Sequence, residues 1–335
     1  MRSRVVFGCS GPVLEAVERD FFRDAQPWGF ILFGRNVQNR GQVRALVDAL
    51  RDTVGDERAP VLIDQEGGRV SRLKPPQWNA RPPAAHFGQL HAKAQETATE
   101  AAYLNARLIA ADLGELRINV DCAPVLDVPV LGAHDIIGDR AFAHDSVAVI
   151  ELGRAVMDGL MEGGVLPVMK HMPGHGRAAA DTHLELPHVG APTEELSASD
   201  FVTFRSLNTC PMGMTAHVVY DAIDPNRPAT ISPRVIRDVI RGEIAFDGLL
   251  MTDDLSMDAL SGPISARAKA ALFAGCDVVL HCNGQMAEMK HVAGEAKPLE
   301  GASLKRAEAA LGHLVTPAAF DPAEAEARLG ELLAA

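Results

Sequence analysis

Eight short apolar runs punctuate the chain: Val5-Val6-Phe7, Phe30-Ile31-Leu32-Phe33, Val61-Leu62-Ile63, Ile118-Asn119-Val120, Leu166-Pro167-Val168-Met169, Met212-Gly213-Met214, Leu249-Leu250-Met251 and Val278-Val279-Leu280. None alternates strictly between apolar and polar, so each reads as a strand covered on both faces, as in a parallel sheet. Stretches with helical spacing lie between them. Gln42 to Arg51 places Val43, Leu46, Val47 and Leu50 on one face. Glu96 to Leu113 precedes the fourth run and Val147 to Met161 the fifth. Pro233 to Ile244 precedes the seventh, with Ser232 as N-cap and Pro233 at the first helical position. No longer self-similar period exists, which argues against a solenoid or propeller. Eight strand–helix alternations predict an α/β fold, a (β/α)8 TIM-type barrel over residues 1–295. Ser303 to Leu314 and a helix opened by Asp321-Pro322-Ala323-Glu324 form a helical C-terminal extension, 296–335. That piece is too short to hold a core alone and is expected to pack on the barrel.

Composition narrows the function. Of 335 residues, 47% are apolar and 23% charged, the balance of a globular chain with a large core. The net charge of −12, with no basic stripe, speaks against nucleic acid and against an anionic membrane surface. No apolar stretch is long enough to span a bilayer. Met1-Arg2-Ser3-Arg4 opens like a secretory signal, but the apolar segment Val5 to Cys9 is too short and Glu15 soon follows, so a cytoplasmic protein is expected. Cys9, Cys122, Cys210, Cys276 and Cys282 form no C-x-x-C pair and read as reduced core thiols.

Barrel enzymes place their chemistry at the C-terminal ends of the strands. Here those ends carry Arg35-Asn36, Asp64-Gln65-Glu66, Asp121, Lys170-His171, His217, Asp253-Asp254 and His281. Solvent alone explains polar residues there, but less well why they are Asp, Lys and His. Asp64 through Arg72, with two acids, two arginines and a Gly-Gly turn, suits a hydroxyl-binding rim or a surface ion-pair cluster. In Lys170-His171-Met172-Pro173-Gly174-His175-Gly176 the proline and glycines prevent His171 and His175 from sharing a helical face, so the spacing does not mark a zinc helix. Asp181-Thr182-His183 follows in the same loop. An Asp two residues before a His can fix its tautomer and make it a general acid/base. Of Asp253 and Asp254, strand alternation turns one into the mouth. Asp254, nearer the next helix, is the expected cap, and Asp253 the chemical group. Gly8-Cys9-Ser10 replaces the H-x-H pair that a metal-dependent barrel hydrolase would carry, and no phosphate-binding glycine motif is present. His86, His91, His144, His291 and His313 read as solvated, and Met157 and Met161 as core.

The Lys170–Gly176 segment, Asp181-Thr182-His183 and Thr252-Asp253-Asp254-Leu255-Ser256-Met257 together resemble the glycoside hydrolase family 3 β-N-acetylglucosaminidases. The resemblance is to the short, single-domain cytoplasmic form that serves peptidoglycan recycling in Gram-negative bacteria. Ile63 through Val70, Ala123 through Val128, Ile137 through Phe142, Arg227-Pro228-Ala229 and Phe246-Asp247-Gly248 agree with it, so it spans about residues 5 to 285. Met172, where the family usually has Phe, the loop Arg177 to Ala180 and the C-terminal extension depart from it.

The resemblance implies a retaining exo-β-N-acetylglucosaminidase, with Asp253 as nucleophile and His183, partnered by Asp181, as acid/base. Asp64, Arg72, Arg140, Lys170 and His171 would bind the N-acetylglucosamine ring. The implied substrate is N-acetylglucosaminyl-β-1,4-anhydro-N-acetylmuramic acid, with or without its peptide. No metal or organic cofactor is implied, no nucleic-acid or membrane partner is expected, and the chain is expected as a monomer or weak dimer. A β-glycosidase of other sugar specificity and a catalytically inactive sugar-binding barrel are the alternatives. Phosphorolysis stays open beside hydrolysis.

Overall fold

In the computed structural model, which describes residues 1–130, 132, 137–178 and 186–334, eight parallel strands close into a barrel. They are β1 (Ser3–Gly8), β2 (Pro27–Leu32), β3 (Val61–Ile63), β4 (Val120–Asp121), β5 (Leu166–Met172), β6 (Met212–Thr215), β7 (Leu249–Asp254) and β8 (Val278–His281). Each pairs with its neighbours in sequence, and β1 closes on β8 through Val5–Val279 and Phe7–His281.

The apolar runs lack alternation because both faces of each strand are buried. Val6, Ile31, Leu62, Val120, Val168, Leu249 and Val278 fill the barrel interior. Their sequence neighbours Val5, Phe7, Phe30, Val61, Ile63, Leu250 and Val279 pack outward with Val43, Leu46, Val47 and Leu50 of the helix Arg40–Val54. The period of two puts alternate residues on opposite faces, and a layer of helices makes the outer face as dry as the inner one. Leu299, Ala307 and Ala310 join the interior cluster, so the helix Gly301–Gly312 closes the N-terminal end of the barrel. The helix Pro322–Ala334 packs on Gln95–Glu115, with Arg328 bonded to Glu100 at 2.8 Å.

Three details differ from the sequence expectation or add to it. A small sheet of His188–Val189, Val219–Tyr220 and Asp224–Pro228 stands beside the barrel. The segment before β7 is a wide π-type helix, Val235–Glu243, and the Ser232 hydroxyl accepts the Val235 N–H at 3.1 Å as its cap. His91 is buried rather than solvated, because its Nε2 finds the Glu151 carboxylate at 2.6 Å. The five thiols are buried and unpaired. No helix among the described residues is long and apolar enough to cross a membrane.

Candidate active site

The loop after β3 makes one wall of the barrel mouth. Gly67 and Gly68 have φ of +98° and +54°, and a Cβ on Gly67 would come within 2.2 Å of the Pro82 carbonyl oxygen, so glycine is required there. The Glu66 N–H donates to the Val70 carbonyl at 3.0 Å. The Gln65 side-chain oxygen accepts the N–H groups of Arg72 and Leu73 at 2.9 and 3.0 Å. These bonds double the chain back, so that Asp64 and Arg72 face the same cavity of about 180 Å³.

An alternating row of charges crosses this wall. Arg72 Nη2 donates to Asp64 Oδ2 at 3.0 Å, and Lys170 Nζ to Asp64 Oδ1 at 2.9 Å. Lys170 Nζ also reaches Glu66 Oε1 at 2.6 Å, and Arg140 forks onto the same carboxylate at 2.8 and 2.9 Å. Three cations thus share two carboxylates. Lys170 is only 2% exposed, and an ammonium buried this deeply is tolerable because two anions face it. Burial pushes the Asp64 and Glu66 carboxyls up, but Lys170 with Arg72 or Arg140 outweighs it and holds both below the usual range. Burial likewise lowers Lys170, and the two carboxylates more than reverse that. All five groups are therefore charged at neutral pH. Their preset donors and acceptors suit a ring of hydroxyls, which bind through charge-assisted hydrogen bonds.

A second cluster sits behind His171. Asp127 is fully buried and accepts the backbone N–H of His171 at 3.2 Å, that of His175 at 2.6 Å, and His171 Nδ1 at 2.7 Å. Burial opposes its ionisation, but His171 and these bonds win and keep it low. The carboxylate fixes the proton on His171 Nδ1 and the plane of the ring. His175 also lines the cavity. Burial and the neighbouring His171 lower it to about 4, so it is neutral near pH 7.

Asp253 closes the opposite side at the end of β7, accepting the Asp254 N–H at 2.8 Å. Burial pushes its carboxyl up. His217, His171, the Asp254 N–H and Lys170 outweigh that and hold it below the usual range, as a carboxylate. His217 Nε2 lies 2.9 Å from the Asp254 carbonyl and so carries the proton, while its Nδ1 meets the Thr230 hydroxyl at 2.7 Å. Asp254 departs from the expected helix cap. The next helix begins only at Ile264, and Asp254 instead accepts the N–H groups of Ser256 and Cys282, both at 3.1 Å, tying the β7 end to β8. Both aspartates line the cavity because the β7–β8 register shifts between Met251 and Asp254, which breaks the alternation that would have turned one away.

Of the residues singled out in the sequence, Asp64, Arg72, Arg140, Lys170, His171 and Asp253 line one cavity. Asp181 and His183 lie outside the described residues. Sequence reasoning named Glu66 only as one of the two acids of the Asp64–Arg72 rim and gave Asp127 no role of its own, whereas in the structure they orient Lys170, Arg140 and His171. The one available signal was their place inside the motifs around Asp64 and Val128. Among the described residues, no group of three or more His, Cys, Asp or Glu is arranged to hold a metal ion.

Comparison with known proteins adds ancestry to this geometry. The family described as "Glycosyl hydrolase family 3 N terminal domain" matches residues 13–316. A "Beta-hexosaminidase" of Tolumonas auensis is 39% identical over 300 residues, covering 88% of this chain and 86% of that protein. One of Alkalilimnicola ehrlichii is 41% identical over 288 residues, covering 83% and 80%. Among solved structures, NagZ from Neisseria gonorrhoeae in complex with N-trifluoroacetyl-D-glucosamine superposes with a TM-score of 0.89 at 31% identity, over 99% of this chain and 98% of that one. A glycoside hydrolase family 3 beta-N-acetylglucosaminidase from Paenibacillus gives 0.81 at 28% identity, over 99% of this chain and 62% of that one.

Proposed function

Since the chain belongs to glycosyl hydrolase family 3, we propose that it is a retaining exo-β-N-acetylglucosaminidase acting on N-acetylglucosaminyl-anhydro-N-acetylmuramic acid, with or without peptide, in cytoplasmic cell-wall recycling. The observation that carries the reading is the placement of the Asp253 carboxylate across one small cavity from the Arg72–Asp64–Lys170–Glu66–Arg140 row. One side of the cavity offers a nucleophile and the other the polar groups that grip a sugar. The names of the relatives and the amino-sugar analogue held by the Neisseria protein favour an N-acetyl sugar.

In the first step Asp253 attacks the anomeric carbon while His183, its tautomer fixed by Asp181, gives a proton to the leaving oxygen. The carbon–oxygen bond breaks as the carbon–carboxylate bond forms. In the second step His183 takes a proton from water, whose oxygen attacks the same carbon and frees Asp253. Asp253 needs no deprotonation, because its surroundings already keep it ionised. Asp64, Arg72, Arg140, Lys170 and His171 hold the ring hydroxyls and the acetamido group. Orientation by such fixed groups lowers the barrier by removing rotational freedom beforehand.

The test pairs an aryl β-N-acetylglucosaminide with an aryl β-glucoside, each with and without chelator and phosphate. Release from the N-acetyl sugar alone, insensitive to chelator and not accelerated by phosphate, supports the reading and leads to the anhydro-disaccharide. Glucoside cleavage would reassign the sugar, a sugar 1-phosphate product would reassign the acceptor, and no release would make the chain a binding protein.

A further inference from the structure

Behind the row of charges lies an interior cavity of about 30 Å³, room for a water molecule. Asp121, Asn105, Glu66 and Arg140 are among the residues that line it. Asp121 ends β4 and is wholly buried. One carboxyl oxygen accepts the Gln65 backbone N–H at 2.9 Å, and the other, Oδ2, has no partner. Asn105, 3% exposed on the helix Gln95–Glu115, likewise leaves its Oδ1 without a partner. Two residues with an unpartnered acceptor oxygen thus line one space, and no donor among the described residues reaches either oxygen. An ionised carboxylate so placed would be costly, whereas a carboxylic acid would supply the missing hydrogen.

Gln65 is the residue that matters here. It stands between Asp64 and Glu66 in sequence, and its side chain holds the backbone of Arg72 and Leu73. Whatever fixes the Gln65 backbone therefore fixes both carboxylates that carry Lys170. We infer that Asp121 is a positioning residue for sugar binding, holding the Gln65 backbone from beneath the charged row while its second oxygen, as a carboxylic acid, faces the cavity shared with Asn105. This inference rests on the glycosidase reading for its kinetic consequences.

The electrostatics agree with the geometry. Burial, helped by Asp64 and Glu66 on the β3 end, raises the Asp121 carboxyl to about 7, against the Gln65 N–H and Lys170 of β5, which lower it. Cys122, next on β4, is a thiol pushed far up by burial, and Arg140 across the cavity is held by Glu66. As pH rises through about 7, Asp121 gains a negative charge beside two existing carboxylates and competes for Lys170. Sugar affinity then falls more than turnover, because Asp253 keeps His217, His171 and the Asp254 N–H beside it whatever Lys170 faces.

The experiment measures KM and kcat against pH with an aryl β-N-acetylglucosaminide for the full chain, for Asp121→Asn and for Asp121→Ala. Asparagine keeps the acceptor for Gln65 and brings its own N–H hydrogens, but it cannot ionise. We expect wild-type KM to rise above about pH 7 and Asp121→Asn to stay within about twofold of the low-pH value throughout, since it keeps the hydrogen bond. Asp121→Ala should hold KM roughly tenfold above the low-pH wild-type value, with no rise across about pH 7 and kcat changed far less, the loss expected of one buried hydrogen bond. A purely structural role would move neither the pH profile nor the split between KM and kcat. An Asp121→Asn profile that still rises like the wild type, or a wild-type KM in Asp121→Ala, overturns the inference. Difference infrared spectra across the same pH range give a readout independent of turnover. A carboxylic-acid C=O band lost through about pH 7 in wild type and missing from Asp121→Asn supports the inference, and its absence from wild type refutes it. Failure of wild type to release the aryl group would instead count against the glycosidase reading, with the infrared result still deciding this one.

Discussion

Replacing Lys170 with methionine tests whether the charged row is held together as described. Methionine fills similar space without charge, so the variant strands two buried carboxylates that had shared one ammonium at 2.9 and 2.6 Å. Removing one partner of a buried pair costs roughly 3–5 kcal/mol. Arg72 and Arg140 remain on Asp64 and Glu66 and keep the loss within that range. Unfolding entropy of ~2.1 cal/mol/K per residue over 335 residues is about 0.7 kcal/mol/K. The expected fall in Tm near neutral pH is then about 4 to 7 °C. The pH dependence supplies the sharper check. Asp64 and Glu66 are held below their usual values, so the stability they contribute is present above the unfolded pKa of about 4 and lost as pH falls through the folded values. In the variant both carboxyls titrate higher and can be neutralised by mild acid, so the gap between the two proteins should narrow below about pH 4. Calorimetry near pH 7 and in mild acid measures both. Adding Asp64→Asn to Lys170→Met should recover part of the loss, because one stranded charge disappears and Arg72, a quarter exposed, can turn to solvent. A fall in Tm below about 2 °C near neutrality, or one undiminished in acid, would mean that Lys170 does not neutralise these carboxylates.

Asp253→Ala should lose turnover by several orders while the fold survives, and Asp254→Asn should lose far less but melt earlier, since Asp254 ties β7 to β8; kinetics and melting curves separate the two. Because Asp253 is held below the usual carboxylate range, kcat/KM for an activated aryl substrate should stay flat from neutral pH down to about 4, the ordinary carboxylate value; an acid limb centred a unit or more above that would contradict its surroundings. His183→Ala should slow substrates with poor leaving groups by orders of magnitude and activated aryl substrates little, because only the former need a proton; equal losses would remove it from the acid role. Asp127→Asn should raise KM by roughly tenfold with kcat changed less, since the amide no longer fixes the proton on His171 Nδ1.

The barrel was legible because burial on both strand faces leaves an unambiguous trace. A run such as Val61-Leu62-Ile63 has no polar residue to spare for solvent, and the structure uses all three positions, Leu62 inward and its neighbours outward. The small outer sheet left no such trace. His188–Val189 and Val219–Tyr220 are two-residue strands, and most of Asp224–Pro228 is exposed, so their pairing rests on backbone bonds to which hydrophobic pattern is blind. The extent of the π-type helix Val235–Glu243 was hidden for a related reason, since its apolar spacing reads like that of an ordinary helix until the backbone is seen.

The site was legible in proportion to how close each residue lies to a strand end. Asp64, Lys170, His171 and Asp253 fall on the last residues of a strand or the one just beyond, where barrel geometry points them into the mouth. Glu66 and Asp127 stand two or more positions further on, and what they do depends on partners far along the chain: Arg140, 74 residues from Glu66, and His171, 44 residues from Asp127. Neither spacing carries information in a single sequence. The Asp253–Asp254 pair shows the same limit from the other side. Alternation is a rule about regular strands, and here a register shift beside β8 suspends it, so both carboxylates reach the cavity. Their chemistry is then separated by what each accepts. Asp254 accepts the Ser256 and Cys282 N–H groups at Oδ1 and the Ser256 hydroxyl at Oδ2, whereas Asp253 accepts the Asp254 N–H at Oδ1, its Oδ2 being the oxygen that the proposed reaction would use.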